Sequence, residues 1–196
     1  MILRGKIATL RPLQIGDAAI TLKWRQSERA KYLQRGAQNI KEQQAWIVSV
    51  IPTDDLNFII EYQNLPVGMI ALQEINHRHK TAVLGRLLIG EAAKVGSAPV
   101  TFEAELLLCD YLFNDLKFHK LYGDISEDNI AMIKTRMYLG YKKDGVLRDQ
   151  YIYDGVYKNA IAVSLLEDEY REFTRRKLID LIGLFGKVNT GKQSLL

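Results

Sequence analysis

The stretch best suited to hold a ligand is Ile89-Gly90-Glu91-Ala92-Ala93-Lys94-Val95-Gly96-Ser97-Ala98-Pro99. An apolar run, Ala82 to Ile89, leads into it, and a long helical pattern, Pro99 to about Asp115, leads out. Strand, small-residue loop and helix start together make a geometry for holding a phosphate. The first amides of a helix lack intrahelical partners and point outward, and the helix dipole favours an anion there. Gly96, Ser97 and Ala98 carry little side chain to block a ligand from the backbone. Pro99 suits a first helical turn, where its missing N–H costs nothing. A plain structural turn, common in α/β proteins, is the competing reading.

Other groups narrow the chemistry. Cys109 is the only cysteine, so no internal disulfide or cysteine metal cluster can form, which fits a reducing cytoplasm. It lies inside an apolar helical stretch and reads as core rather than as a nucleophile. Three histidines without an HxxxH spacing argue against a metal site.

The elements that must position the loop follow from periodicity. Lys6 to Leu13 alternates as a strand ended by Pro12, and Gly16-Asp17 opens a helix through Ala18, Ala19, Leu22 and Trp24. A second short helix is expected around Tyr32 and Leu33. Asn39 with Glu42 reads as the capping box of a third helix, stopped by Pro52. Three strands follow in succession, 56–62, 67–75 and 81–89, as an antiparallel meander. After the loop and the long helix, Lys120 to Ile125 is a strand, and a right-handed crossover makes it parallel to the third meander strand. Ser126 to Asn129 opens a helix closed by Gly140. Tyr141 to Leu147 is a strand, and Asp154-Gly155 turns a closing hairpin. The order predicts a mixed α/β fold: a central, mostly antiparallel twisted sheet with one parallel pair and flanking helices.

Residues 171–196 carry six of the 27 Lys and Arg but only two of the 23 Asp and Glu, so the net charge of +4 belongs to this tail. Residues 1–170 are neutral overall, which argues against a nucleic-acid surface. Arg175-Arg176-Lys177 followed by Leu178, Ile179, Leu181, Ile182, Leu184 and Phe185 reads as a basic amphipathic helix. It is expected to dock on its own domain or on the partner of a homodimer, with a membrane surface as a further alternative. The last ten residues read as disordered. No run of about 18 apolar residues predicts a membrane span. The start, Met1 to Lys6, lacks the order of a signal peptide, and a cytoplasmic protein is expected.

These pieces resemble one superfamily, the GNAT acyl-CoA-dependent N-acyltransferases. Ala93-Lys94-Val95-Gly96-Ser97-Ala98 is similar to the family's pyrophosphate motif, with Ala93 in place of the usual Arg or Gln. Glu127-Asp128-Asn129-Ile130-Ala131-Met132-Ile133, followed by Tyr138-Leu139-Gly140-Tyr141, is similar to its asparagine helix. Leu10-Arg11-Pro12-Leu13 with Gly16-Asp17-Ala18 looks like its opening strand and helix. Gly145 to Arg148, Asp154 to Tyr157, Ser164 to Leu166 and Glu169-Tyr170 look like the closing hairpin of one branch. That branch holds the amino-sugar N-acetyltransferases and the ribosomal-protein N-terminal acetyltransferases. The resemblance spans residues 4–170, so the chain divides into an acyltransferase domain, 1–170, and the tail, 171–196.

The resemblance implies acetyl transfer from acetyl-CoA to a primary amine, with no metal. Leu22 to Ser27 and Gln43 to Ile47 look most like the nucleotide-linked amino-sugar enzymes of surface-glycan pathways. N-terminal acetylation of a protein and a non-catalytic acyl-CoA-binding module are the alternatives. For the donor, the resemblance implies backbone contacts at Leu87, Leu88 and Ile89, a phosphate cradle at Lys94, Val95, Gly96, Ser97 and Ala98, and cofactor-side groups at Asn129 and Arg136. The family's thiol-protonating Tyr aligns at Arg136, which leaves Tyr138 as the nearest phenol. The usual glutamate base has no counterpart in Ala82-Val83-Leu84-Gly85. Glu74 is the substitute, then His77, whose ordinary pKa suits proton work near neutrality. A chain of waters would serve without either. Trp24, Arg25 and Tyr151 are implied to touch the acceptor, with Tyr153 and Tyr157 nearby. An aromatic face suits a sugar or a nucleobase.

Overall fold

A computed structural model describes residues 1–33 and 36–190. Eight strands form one sheet in the order β1-β2-β3-β4-β5-β6-β8-β7. They are β1 (Leu3–Arg4), β2 (Ala8–Pro12), β3 (Leu56–Tyr62), β4 (Leu65–Asn76), β5 (Thr81–Ile89), β6 (Lys120–Ser126), β7 (Lys142–Tyr153) and β8 (Val156–Leu166). Every neighbouring pair is antiparallel except β5 with β6. The helices are α1 (Ala18–Arg25), α2 (Ile40–Val50), the single turn α3 (Ala92–Val95), α4 (Val100–Asp110), α5 (Ile130–Tyr138), the short α6 (Glu167–Glu169) and α7 (Arg175–Thr190). Wide π turns extend α4 over Tyr111–Asp115 and join α6 to α7 over Tyr170–Thr174.

The two faces of the sheet follow the period of two along each strand. Phe58 and Ile60 of β3, with Ile70 and Leu72 of β4, join the core under α4 and α7. Ile59 and Met69 point the other way, into a smaller core with Trp24 of α1 and Ile47 of α2. The chain is therefore three layers, helices on both sides of the sheet. Both faces are covered, so the central strands are apolar throughout instead of alternating.

The punctuation read in the sequence acts as chemistry in the structure. Asn39 caps α2 by accepting from the Glu42 amide at 3.0 Å, and Glu42 answers by accepting from the Gln38 amide at 2.7 Å. Asp154 and Gly155 both take positive φ, 49° and 80°, which a tight two-residue hairpin needs. The segment around Tyr32 and Leu33 differs from expectation. The short helical turn is Glu28–Ala30, and Tyr32 follows it in a turn, with Leu33 as a bend.

Helix α4 is buried more fully than one apolar face would require, because α7 covers the side that the sheet does not. Glu103 and Glu105 are both buried in it. Glu103 accepts from the backbone amides of Lys6 (3.0 Å), Ile7 (2.6 Å) and Ala8, pinning the β1–β2 turn. Cys109 is buried, and burial pushes its thiol pKa well up, so it is no nucleophile. Leu178 of α7 belongs to the main core. The expected disorder of the last ten residues falls partly on 191–196, outside the described residues. No helix among the described residues is long and apolar enough to cross a membrane.

Candidate active site

The site is built where β5 leaves β6. The two strands pair only over Thr81–Val83 and Lys120–Tyr122. Beyond Val83 the outer edge of β5 faces a cleft instead of a neighbour. An unpaired strand edge is a row of amides and carbonyls ready for an extended ligand. The cleft has a volume of about 490 Å³, and Leu87, Leu88 and Ile89 line it. Thr101 from the first turn of α4 and Asn129, Met132 and Arg136 from the α5 side complete that wall.

A second cavity of about 420 Å³ opens on the α1–α2 side and is lined by Arg25, Gln43, Trp46, Glu74 and Arg86 among others. The two cavities share Leu84, Gly85, Arg86, Asp124 and Tyr151. They meet at the split in the sheet.

Two irregularities in β4 and β5 shape this junction. In β5 the register steps from Leu88 opposite Met69 to Gly85 opposite Ala71, so two residues, Arg86 and Leu87, stand against Ile70 alone. Arg86 takes φ 54°. In β4 the register breaks between Gln73 and Asn76, and Glu74 takes φ 49°. Left-handed backbone at a non-glycine residue is uncommon, and bulges re-aim side chains. Here both bulged residues carry a charge, and both line the second cavity.

Carboxylate–phenol pairs border the junction. Tyr122 donates to Glu74 at 3.2 Å, and Tyr151 donates to Asp124 at 2.6 Å. Burial, then the facing carboxylate, raises the pKa of each phenol, so both stay protonated near neutrality. Tyr153 stacks on Tyr151 at 5.8 Å. At the foot of the cleft, Arg136 is buried against Glu105, which also accepts from the Tyr141 hydroxyl at 2.9 Å. Burial by itself lowers the pKa of Arg136; Glu105 more than reverses this and keeps the guanidinium charged.

The small-residue loop is wound tighter than an open phosphate cradle. The amides of Lys94, Val95, Gly96 and Ala98 all donate to carbonyls within Glu91–Val95. Gly96 supplies the positive φ, 56°, that lets the chain leave α3. Gly90 is needed for another reason: a Cβ there would lie 2.1 Å from the Trp24 ring. The Trp24 indole N–H and Lys23 Nζ both donate to Glu91, each at 3.0 Å, and these bonds hold its carboxyl pKa down to about 2. The loop is thus anchored to α1.

The expected site residues are distributed unevenly over this geometry. Leu87, Leu88, Ile89, Asn129, Arg136 and Tyr151 line the cleft, and Arg25, Glu74 and Tyr151 line the second cavity. Trp24 is buried in the smaller core under Gly90. His77 lies in the exposed β4–β5 turn with its ring edge-on to Phe118 at 5.5 Å, lining neither cavity. Tyr138 is 53% exposed, with Lys177 over its ring at 4.1 Å. Tyr157 is 64% exposed. Sequence reasoning missed Arg29, Arg86, Tyr122 and Asp124. Arg29 lines the cleft and donates to the Ile89 carbonyl at 2.8 Å. A signal existed for Arg86, a charge inside an otherwise apolar strand, which demands a partner or a cavity. Among the described residues no cluster of His, Cys, Asp and Glu could hold a metal ion.

A three-layer fold whose sheet splits at its one parallel pair, with a cleft at the split, defines the architecture that the sequence resemblance implied. The chain matches the acetyltransferase (GNAT) domain family over residues 8–142, and it belongs to that family. It is 30% identical to the spermidine N(1)-acetyltransferase of Escherichia coli (strain K12) over 113 residues, 58% of this chain and 59% of that protein. The match thus spans under two thirds of that relative's length. A chimera of the Vibrio cholerae spermidine N-acetyltransferase SpeG shares the fold with a TM-score of 0.74 at 22% identity, over 84% of this chain and 98% of that one. A GCN5-related N-acetyltransferase from Brucella melitensis does so with a TM-score of 0.74 at 18% identity, over 95% and 84%.

Proposed function

We propose that this protein transfers the acetyl group of acetyl-CoA to a primary amine of a small molecule. The meeting of the two cavities at Leu84–Arg86 and Asp124 carries the reading. An acyl donor laid along the free edge of β5 would present its carbonyl to an amine entering from the other side. Holding both reactants in register supplies much of the acceleration such a reaction needs. Arg29, Lys31 and the first turn of α4 at Thr101 offer positive potential for the donor's phosphates.

The amine enters as an ammonium, since an alkyl amine has a pKa near 10. It must lose a proton before it can attack. Glu74 and Asp124 are the carboxylates within reach of the junction, and of these Glu74 is the proposed base. Glu74 accepts the longer bond, from Tyr122 at 3.2 Å, whereas Asp124 is held at 2.6 Å by Tyr151. As the C–N bond forms the C–S bond breaks, and the thiolate collects a proton.

Two acceptors stand out. The sequence resemblance favours the amino group of a nucleotide-linked sugar, and the names of the relatives favour spermidine. Both are primary amines. The test is thiol release from acetyl-CoA with each acceptor in turn. Release with neither of these, nor with a peptide amine, while acetyl-CoA still binds, would leave a non-catalytic acyl-CoA-binding module.

A further inference from the structure

The second cavity holds charges of both signs. Glu74, Asp124, Arg25 and Arg86 all line it, and Asp124 and Arg86 stand where it meets the cleft. We infer that the acceptor bears an anionic oxyacid group, carboxylate or phosphate, beside its amine, and that Arg25 and Arg86 bind this group. The inference rests on the acetyl-transfer reading of the site.

The placement of Arg86 is the main observation. It sits at the β5 bulge with φ 54°, a conformation that glycine would adopt more cheaply, and Gly85 is its immediate neighbour. The bulge turns a guanidinium into a cavity from a strand whose other residues, Thr81 apart, are apolar or glycine. Its plane lies over Trp46, 5.2 Å from the ring centroid, and it donates to the Asn57 side-chain oxygen. Asp55 pairs with it at 3.5 Å, and of the five guanidinium N–H donors these two partners leave some for a ligand. Arg25 comes from α1, and its Nε lies 3.4 Å from where a Gly36 Cβ would sit. Both guanidiniums line the second cavity, and burial, then the charge of Arg86, lowers the pKa of Arg25. The planar forks of two guanidiniums on one cavity suit a carboxylate or phosphate. A polyamine carries only ammonium groups, and these two side chains would repel it.

The experiment compares matched amines in the thiol-release assay: ω-amino carboxylates, aminoalkyl phosphates and diamines of equal chain length, with spermidine alongside. The expected kcat/KM for the better anionic class exceeds that for diamines by about tenfold or more. In Arg86→Gln and Arg25→Gln that ratio should fall about 10- to 100-fold, with Arg86→Lys losing less. The ratio compares two acceptors on one protein, so partial unfolding does not distort it. The carboxylate and phosphate arms identify the group. Spermidine or diamines favoured by the unaltered protein, or a ratio indifferent to both substitutions, overturns the inference and leaves acetyl transfer standing. If no amine is acetylated, calorimetry with inorganic phosphate decides. Binding that Arg86→Gln abolishes supports the anion subsite although the transfer reading fails. An absence of binding overturns it.

Discussion

Replacing Arg136 by Met should unsettle the fold more than the site. The Arg136 side chain is 7% exposed and the Glu105 side chain 2% exposed, so the ion pair is cut off from water. Tyr141 lies under the guanidinium at 4.8 Å and donates to the same carboxylate. Met fills a similar volume but leaves Glu105 buried with one neutral donor. Breaking a buried pair from one side costs about 3–5 kcal/mol, because the remaining charge is uncompensated. For a chain of this length each kcal/mol moves Tm by about 2–4 °C, so Arg136→Met should melt roughly 6–20 °C lower. The double variant Glu105→Gln/Arg136→Met removes both charges and keeps an acceptor for Tyr141. It should recover at least half of that loss.

Thermal and urea unfolding of the wild type, both single variants and the double variant close the cycle, provided that both probes give one transition. A cost under about 1 kcal/mol for Arg136→Met, or a double variant no more stable than the single, would refute the buried-pair argument. The cycle also separates two roles for Arg136. In the refolded double variant, any lost acetyl-CoA affinity reports the guanidinium's contact with the donor. With that group turned toward Glu105 and Tyr141, a loss of less than about tenfold is expected.

Three further outcomes follow from the junction and the loop. Gly90→Ala drives a Cβ into the Trp24 ring and should cost about 1–3 kcal/mol, measured by denaturant unfolding. Glu91 is held at a pKa of about 2, below its ordinary 4.5, so its contribution to stability is complete above pH 4.5 and disappears as pH falls through 2. The stability gap between wild type and Glu91→Gln should therefore be widest near neutrality and close between those two values in acid titrations. Glu74→Gln should lower kcat by about 10²-fold or more in the thiol-release assay; a comparable loss in Asp124→Asn alone would move the base to Asp124.

The sequence showed the frame well because its signals are local. The Asn39–Glu42 cap, the Asp154-Gly155 turn and the three meander strands each rest on a few consecutive residues. The small-residue loop was legible as a place, but its function was not. Whether the amides of Lys94 to Ala98 point outward depends on a helical turn, Ala92–Val95, too short to leave a periodic signature. Trp24 misled for a related reason. An aromatic residue near a cleft and one beneath it look alike until Gly90 is seen to sit on its ring.

The acceptor side was hardest to read, and the bulges explain why. A strand's alternation states which residues share a face only while the register holds, and one extra residue reverses it. Arg86 and Glu74 stand at the two register breaks flanking the paired segment Ala71–Gln73. A register break exists only against a partner strand, so the charge of Arg86 hinted at a cavity without saying which way the side chain turns. Counted along β5, Arg86 shares a face with Leu84 and Leu88, and Leu88 is buried in the α1–α2 core. At the bulge Arg86 instead lines both cavities. The residues that would choose the acceptor are thus those whose direction is set by strand pairing, so relatives can keep the frame and the donor cleft while the acceptor charge changes.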